Sequence, residues 1–352
     1  ILLLLLSVSI YEIFLIYKKN QEIENFNNNL NSTSLINENN NLIQICPIHI
    51  LDENNIKLIP LAGLSDTNVK KINSITKEIS LKKSDRYGFN NNDNSWDYDE
   101  TFAVFVGDSF TYGLEVKHEE SYFELFRKKI PNVINLGCSG NGPISELATF
   151  IEYVKFLKPK FIIWNYYEND LTKDLDRELK TKISNYLDVN YKQNLIYNQQ
   201  KIDIFLKDFL DRNTNKKNKL QKKEKETYLN FYKLIFLRTK IGLTHKFSNS
   251  NFQKFKDIIL RVKNESQNWG GEIVFVYIPT MHKYNNFISY FDEEYYYKNI
   301  ENFLKSEEIE IINLDLELKK YGNQKKFYSN HFNKKGNEVV SKILLEKIKK
   351  ID

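Results

Sequence analysis

Short apolar runs recur through the last two thirds of the chain, and polar segments with helical spacing separate them. Five runs are apolar almost throughout, at residues 102–106, 133–136, 161–166, 272–278 and 309–314. Runs this short, without alternating polar positions, predict strands that are buried on both faces of a sheet.

The segments between these runs carry apolar residues three and four positions apart, which predicts amphipathic helices. They lie at residues 121–129, 144–157, 252–269, 295–304 and 336–349. Strands that alternate with helices in this way predict βαβ units and a parallel sheet with helices on both faces. We therefore expect a three-layer α/β/α domain with a five-stranded parallel sheet. In such domains the ligand site lies at the carboxyl ends of the strands.

Two regions depart from this rhythm. Residues 171–250 are Lys-rich and mostly helical in pattern, and we interpret them as a helical insertion that caps the domain. Residues 18–98 begin with an Asn-rich polar stretch, which predicts a linker, and continue as a small extension packed on the main domain. The main domain is assigned to residues 99–352.

The first 17 residues form an apolar block that is followed by Lys18 and Lys19. The block is slightly shorter than the ~20 residues that span a bilayer, and Glu12 interrupts it. Three interpretations are open: an uncleaved membrane anchor at residues 1–17, a cleaved signal peptide, and a buried helix of the domain. No small-residue cleavage site follows the block, so we adopt the anchor as the expectation.

Composition and charge exclude some classes of protein. The 352 residues are 41% hydrophobic, which is enough for a large core. The 51 basic and 46 acidic side chains leave a net charge of +5, which does not indicate a nucleic-acid partner. The two cysteines, Cys46 and Cys138, lack the spacing of a zinc site. A disulfide between them is an open alternative that would require an oxidising compartment.

The first candidate for chemistry directly follows the first strand. Gly107, Asp108 and Ser109 combine room for a sharp turn with a hydroxyl group at the edge of the sheet. A helix that begins soon after would direct its N-terminal N–H groups toward a developing negative charge. The structural alternative is a turn in which Asp108 and Ser109 cap that helix.

Three further candidate segments follow later strands. Gly137, Gly140 and Gly142 lie after the second strand, where they allow close approach of the backbone to a ligand. Their order differs from the GxGxxG nucleotide fingerprint. Asn169 follows the third strand and can direct its amide at an oxyanion, and His331 lies between the fifth strand and the last helix. A plain turn, a helix cap and a structural histidine are the respective alternatives.

Taken in order, four strings resemble the four sequence blocks of the SGNH/GDSL hydrolases: VGDSFTYG, NLGCSGNGP, YENDL and NHFNKKGN. Upstream, the string DRYGF at residues 85–89 resembles a segment that precedes the first block in membrane-anchored members. The string IPTMHKY at residues 278–284 resembles a fourth-strand segment of the same proteins. The resemblance runs from residue 84 to the C-terminus, apart from the insertion.

The resemblance implies the flavodoxin-like α/β/α fold of these enzymes, and ester hydrolysis or acyl transfer without a cofactor or metal. It assigns Ser109 as the nucleophile and His331 as the base. It assigns the oxyanion hole to the backbone N–H groups of Ser109 and Gly140 and to the side chain of Asn169. The chemistry is consistent, because a histidine can remove the serine proton while fixed donors stabilise the tetrahedral oxyanion.

Two positions depart from the family pattern. The family usually has an Asp three residues before the catalytic His, and here Tyr328 stands there; Tyr167 replaces the Gly of the third block. Loss of the residue that orients the imidazole can cost on the order of 10⁴ in rate. Asp315, at the end of the fifth strand, and a main-chain carbonyl near Tyr328 are the candidates for that role. His282, which also follows a strand, is the alternative base.

We therefore expect a membrane-anchored serine esterase whose catalytic domain lies outside the cytoplasm. The implied substrate is an O-acyl ester, with acetyl groups on a glycan as the example that the family suggests. A polysaccharide O-acyltransferase would use the same residues. An inactive binding protein of the same fold is the third alternative, and Tyr328 is its main support.

Overall fold

The computed structural model describes residues 8, 10–18, 42–43, 45–51, 56–73, 76–214, 237, 248–284 and 287–352. Two sheets are present in these ranges, a five-stranded one and a three-stranded one. The strands are β1 (Leu42–Ile43), β2 (Asn68–Ile72), β3 (Ile79–Lys83), β4 (Ala103–Val106), β5 (Val133–Asn135), β6 (Phe161–Tyr167), β7 (Glu272–Ile278) and β8 (Glu310–Asn313).

The central sheet has the strand order β5-β4-β6-β7-β8, and every neighbouring pair is parallel. Counted from β4, this is the 2-1-3-4-5 order of doubly wound, flavodoxin-like proteins. The predicted three-layer fold with a five-stranded parallel sheet is therefore confirmed. Each strand begins and ends within one residue of its predicted bounds.

Successive residues of the central strands face two separate hydrophobic clusters. Val104 and Ile162 belong to the cluster on one face of the sheet, whereas Phe105 and Ile163 belong to the cluster on the other. Because both faces are covered, the strands need no polar face, which explains why their sequences are apolar throughout.

The helices are α1 (Ser109–Tyr112), α2 (Tyr122–Arg127), α3 (Pro143–Thr149), α4 (Lys155–Leu157), α5 (Lys173–Glu178), α6 (Gln199–Thr214), α7 (Asn249–Ser266), α8 (Phe287–Ser306), α9 (Leu314–Lys319) and α10 (Lys334–Ile351). A π-helical segment, Phe150–Val154, joins α3 to α4. Shorter 3-10 turns lie at Pro47–His49, Asp93–Asp97, His118–Glu120, Glu168–Leu171, Lys182–Leu187, Leu195–Tyr197, Gln267–Trp269, His282–Tyr284 and Gln324–Phe327.

The helices divide into two layers. Residues of α3, α7 and α8 pack on the face of Val104, and residues of α2, α9 and α10 pack on the face of Phe105. The prediction of a helix at residues 295–304 was too short, because α8 begins at Phe287. Its first turns carry the exposed aromatic residues Tyr290 and Phe291, which obscure the apolar spacing of an amphipathic helix.

The extension before the central sheet packs on the main core. Its strands β1, β2 and β3 form the small sheet, in which β2 and β3 are antiparallel. Ile50, Leu61 and Phe89 are fully buried in the same hydrophobic cluster as Val104. The disulfide between Cys46 and Cys138, an open alternative from the sequence, is present and joins the extension to the loop after β5.

The segment at residues 85–89 forms a tight turn in this extension. Asp85 accepts hydrogen bonds from the backbone N–H groups of Tyr87 and Phe89, at 3.0 and 2.9 Å. Gly88 has a φ of +82°, and a Cβ atom there would lie 1.9 Å from the carbonyl oxygen of Gly63. The glycine is therefore required by both conformation and space.

The region interpreted as an insertion is described for residues 171–214, 237 and 248–250. Leu175, Ile183, Tyr186 and Leu206 from its first part are fully buried in the main cluster. That part therefore belongs to the core and does not form a separate cap. The rest of the insertion, the linker up to residue 41 and residues 1–7 and 9 of the apolar block lie outside the described residues.

The second half of the apolar block is helical, together with Lys18, over residues 10–18. Among the helices of the described residues, none combines the length and the apolar composition that a membrane crossing requires.

Candidate active site

The sequence after β4 forms a sharp turn into α1. Asp108 caps this helix, since its Oδ1 accepts the backbone N–H of Phe110 at 2.9 Å. A Cβ atom on Gly107 would lie 2.3 Å from Oγ1 of Thr111, so only glycine fits at the start of the turn. Ser109 is thereby placed as the first residue of the helix, half-buried at the carboxyl end of the sheet.

His331 meets Ser109 although 222 positions separate them in sequence: Nε2 of the imidazole lies 2.8 Å from the serine Oγ. A compact turn holds the histidine, because the carbonyl of His331 accepts the N–H of Ser329 at 2.8 Å. Asn333 then caps α10 by accepting the N–H of Gly336 at 2.9 Å. The structure thus brings together the two residues that the sequence predicted as nucleophile and base.

The surroundings of His331 keep its ring neutral. Burial lowers the pKa of His331 to about 4, and the carboxylate of Glu115 opposes this shift. The ring of Phe110 lies 4.7 Å from the imidazole, between centroids, and contributes to that burial. With Nε2 accepting the serine proton, the ring hydrogen is assigned to Nδ1.

Nδ1 of His331 is buried and has no hydrogen-bond partner among the described residues. Asp315 is not its partner, because the Asp315 carboxylate contacts Lys283 Nζ at 2.7 Å and the hydroxyl of Tyr284 at 2.6 Å. The prediction that Asp315 orients His331 was therefore wrong: a buried lysine requires this carboxylate as its counter-charge.

The carbonyl near Tyr328, suggested as the group that orients His331, and His282, suggested as an alternative base, do not fill these roles either. No main-chain carbonyl near Tyr328 accepts from Nδ1 of His331 within the described residues, and the hydroxyl of Tyr328 donates to the carbonyl of Pro279 at 2.9 Å. His282 is exposed at the start of a 3-10 turn. The contacts that Ser109 Oγ makes are to His331 and, at 3.2 Å, to Oδ2 of Asp108.

The Gly-rich loop after β5 lies beside the serine turn, because the N–H of Cys138 donates to the carbonyl of Gly107 at 3.2 Å. Gly140 has a φ of +76°, which favours glycine. Its carbonyl accepts a hydrogen bond from Nη2 of Arg177 at 2.6 Å. The carbonyl of this predicted oxyanion-hole residue is therefore held by a charged side chain.

Asn169 lies in the 3-10 turn after β6, at the same sheet edge. Its Nδ2 donates to Oδ2 of Asp174 at 2.5 Å. Oδ1 of Asp174 accepts from Nη1 of Arg177 at 2.6 Å. The side chains of Asp174 and Arg177 therefore connect Asn169 to Gly140.

The sequence interpretation missed these connecting residues. Asp174, Arg177 and Glu178 all come from α5, which was assigned to the insertion. The signal was present, since acidic and basic residues spaced by three and four positions share one side of a helix. Glu178 extends the network, because its carboxylate accepts the N–H groups of Gly142 and Ile144, both at 2.8 Å.

Several buried carboxyl groups surround this network. Burial raises the pKa of Asp108 to about 7, with the Asp174 carboxylate adding to the shift. Burial and the neighbouring carboxylates raise the pKa of Glu146 and of Asp170 well above their usual range. Both oxygens of Glu146 are without a hydrogen-bond partner in the described part of the chain. No group of three or more metal-ligating side chains occurs within the described ranges.

Aromatic rings line the serine side of the site. The ring of Tyr167 lies 4.6 Å from that of Phe110, and the ring of Phe332 lies 5.0 Å from it. Tyr167 therefore fills space beside the turn of Ser109 that a glycine would leave open. Taken together, the site offers a hydroxyl, a neutral imidazole and a glycine-rich loop at one edge of the sheet.

No family model matches the sequence, and no curated protein matches it. Solved structures with a similar architecture include a lipolytic G-D-S-L family member from Veillonella parvula, 11% identical, covering 70% of this chain and 97% of that chain at a TM-score of 0.41. Another is a putative lipolytic G-D-S-L protein from Desulfitobacterium hafniense, which is 14% identical. The match covers 70% of this chain and 100% of that chain, with a TM-score of 0.39. A third is a lipase/acylhydrolase from Enterococcus faecalis, which is 13% identical. The match covers 71% of this chain and 95% of that chain, with a TM-score of 0.41. At these identities and TM-scores the site is assigned from its own contacts.

Proposed function

We propose that this protein is a serine ester hydrolase of the SGNH/GDSL type, with Ser109 as its nucleophile and His331 as its base. The observation that carries the proposal is the 2.8 Å contact between Ser109 Oγ and Nε2 of a neutral His331. Nucleophilic serines are activated by a base at this distance. The four sequence blocks, which lie in order along the chain, support the same assignment.

The reaction begins when the Ser109 oxygen attacks the carbonyl carbon of the ester and its proton passes to Nε2 of His331. The resulting oxyanion would be stabilised by the N–H groups of Ser109 and Gly140 and by the Asn169 amide, each such donor contributing about 3–4 kcal/mol. The tetrahedral intermediate then expels the alcohol, which takes the proton from Nε2. Water, deprotonated by the same nitrogen, then attacks the acyl carbon of the acyl-serine. The second tetrahedral intermediate collapses to release the acid, and the leaving Ser109 Oγ takes its proton back from Nε2.

His331 would act without a carboxylate on Nδ1. In a serine triad the acid fixes the imidazole tautomer, and its loss costs on the order of 10⁴ in rate. Here burial keeps the ring neutral, and the turn around Ser329 fixes its position. We therefore expect a slow but real enzyme of the Ser–His dyad kind.

For the substrate we propose an O-acyl ester with a short acyl group, such as an acetyl ester on a glycan. The packing of Tyr167 on Phe110 supports a short acyl group, because it narrows the space next to the nucleophile. The carbohydrate part follows from the family resemblance. An O-acyltransferase would form the same acyl-serine, and the partitioning of that intermediate between water and a sugar acceptor distinguishes the two.

An inactive binding protein remains the second candidate, and the unpartnered Nδ1 of His331 is the observation that favours it. For location we retain the proposal of a membrane-anchored protein with its domain outside the cytoplasm. The disulfide between Cys46 and Cys138 supports an oxidising compartment. Cell fractionation tests whether the protein is bound to a membrane. Alkylation of the cysteines with and without prior reduction tests whether Cys46 and Cys138 are oxidised in the cell.

Fluorophosphonate labelling tests the proposed reaction. The wild-type protein should be labelled at Ser109, and Ser109→Ala should abolish the label, whereas Ser184→Ala should keep it. His331→Ala should reduce the labelling rate at least 100-fold, whereas His282→Ala, at the alternative base, should not change it. Folded wild-type protein that takes no label would favour the binding protein instead.

A further inference from the structure

Helix α5 presents three charged residues on one side. Asp174, Arg177 and Glu178 are spaced by three and four positions, which places their side chains next to one another. The side chain of Asp174 is only 3% exposed, and that of Arg177 is 25% exposed. Charged side chains with so little exposure to solvent need hydrogen-bond or ion-pair partners. The identity of those partners indicates the role of the helix.

The partners are two loops from different strands. Arg177 donates one N–H to the carbonyl of Gly140, after β5, and another to Asp174, both at 2.6 Å. Asp174 uses its second oxygen to accept the Nδ2 hydrogen of Asn169, after β6. One continuous chain of charge-assisted hydrogen bonds thus runs from Gly140 to Asn169.

These hydrogen bonds fix the orientation of the Asn169 amide and of the Gly140 carbonyl. An amide held by one hydrogen on a carboxylate cannot exchange the positions of its oxygen and nitrogen, so the second Nδ2 hydrogen of Asn169 keeps one direction. At Gly140 the forked guanidinium fixes the direction of the carbonyl, and with it the conformation of the loop.

We propose that Asp174 and Arg177 are positioning residues that set the distance and orientation of the two loop-borne oxyanion donors, Gly140 N–H and Asn169 Nδ2. The inference rests on the proposed function, because it assumes that these donors bind the oxyanion. Neither Asp174 nor Arg177 is a partner of Ser109 Oγ, which contacts Asp108 and His331. Their main effect should therefore fall on stabilisation of the transition state. Asp174 also raises the pKa of Asp108, so the Arg177 variants are the ones that report positioning alone.

The test compares Arg177→Gln and Asp174→Asn with matched changes in an exposed pair. Arg212→Gln and Asp208→Asn alter an Arg–Asp pair on α6 whose side chains are 43% and 64% exposed. With a small aryl acetate as substrate, we expect the α5 variants to lose about 10- to 100-fold in kcat, less than complete removal of one oxyanion donor. KM should change less than about threefold, and the matched variants should keep wild-type kinetics.

Two readouts separate positioning from a merely structural role. In the Arg177 variants the pH at which activity falls on the acid side should not move, because neither His331 nor Asp108 is shifted by Arg177. The dissociation constant of phenylboronic acid, a tetrahedral mimic, should rise by about the same factor as kcat/KM falls. Arg177→Lys keeps a positive charge beside Asp174 but lacks the guanidinium group that bonds Asp174 and Gly140 together. This variant should therefore fold and still have a lower kcat.

The outcomes distinguish the two levels of the proposal. An active wild-type enzyme whose folded Arg177→Lys and Arg177→Gln variants retain full kcat would overturn the positioning role alone. A wild-type protein that neither takes the fluorophosphonate label nor hydrolyses any ester would overturn the proposed function, and this inference with it.

Discussion

The hydroxyl oxygen of Ser109 lies 2.8 Å from Nε2 of His331. This contact is productive only while the imidazole is neutral, because a protonated ring has no lone pair to accept the serine hydrogen. The protonation state of one half-buried ring therefore controls the proposed chemistry. Because burial lowers the pKa of His331 to about 4, the base is available over an unusually wide range of pH.

We predict that kcat/KM falls on the acid side near pH 4, well below the ordinary histidine value of about 6.5. The sign follows from the active form: the neutral ring dominates above its pKa and is lost below it. A pH–rate profile with a small aryl ester from pH 3 to 8 measures this, with circular dichroism confirming the fold at each pH.

Glu115→Gln provides the control for this profile. The carboxylate of Glu115 raises the pKa of His331 against the effect of burial, so its removal should move the acid limb to still lower pH. The carboxyl group of Asp108, which contacts Ser109 Oγ and has a pKa raised to about 7, is the other group that could titrate here. An acid limb between pH 6 and 7 that persists in Asp108→Asn would contradict the assignment of His331 as the base.

The disulfide gives the second prediction. Cys46 and Cys138 are 92 positions apart, and closure of a loop of this length is worth about 4–5 kcal/mol in the chain-entropy description. Reduction of the folded protein, or the Cys46→Ser/Cys138→Ser double variant, should therefore lower the free energy of unfolding by a large part of that amount. Urea titrations with and without reductant measure it.

Reduced wild-type protein and the double variant should unfold at the same urea concentration. Identical midpoints for oxidised and reduced wild-type protein would mean that the extension gains its stability from packing alone.

The main fold was predictable because its central strands have a distinctive composition. Val104, Ile162 and Phe275 belong to short runs that are apolar on both faces, a pattern that is typical of a covered sheet. The small sheet escaped prediction, because β2 and β3 carry lysines at several positions and β3 is largely exposed to solvent.

The candidate site was predictable only in part. Ser109 and His331 both follow strands, and the carboxyl ends of parallel strands meet at one edge, so the topology brings them together. The role of Asp315 could not be predicted, because it depends on Lys283, a residue from another loop whose burial appears only in the folded chain.

The buried carboxyl group of Glu146 gives the third prediction. Burial raises its pKa well above the usual range in the folded state, whereas in the unfolded chain a glutamate titrates near about pH 4.3. The folded state thus binds more protons, so stability falls as the pH rises from about 4.3 through the raised folded pKa, by about 1.4 kcal/mol per pH unit for one proton.

Glu146→Gln replaces this group with a neutral side chain of the same shape. Its stability should exceed that of the wild type at pH 8 and should decline less between pH 5 and 8, as followed by thermal unfolding. Glu338→Gln, at an exposed position on α10, should keep the wild-type slope. Equal slopes for all three proteins would show that Glu146 is ionised in the folded state.

Gly140 and Gly270 give the fourth prediction, because they share a φ of +76° in different surroundings. A Cβ atom on Gly140 would lie 2.7 Å from Cδ1 of Ile48, whereas no described atom lies within 4 Å of one on Gly270. Substitution by Ala costs each site about 1–2 kcal/mol of backbone strain. Only Gly140→Ala also forces Ile48 and the loop of Gly140 apart, and this loop carries a proposed oxyanion donor.

We therefore expect Gly270→Ala to lose stability and to keep kcat, and Gly140→Ala to lose at least tenfold in kcat as well. The Ile48→Ala/Gly140→Ala double variant removes the steric conflict and should recover part of that loss. Steady-state kinetics and thermal unfolding of the four proteins measure both effects. Equal kcat in Gly140→Ala and Gly270→Ala would remove Gly140 from the oxyanion hole, because a donor there cannot tolerate a displaced backbone.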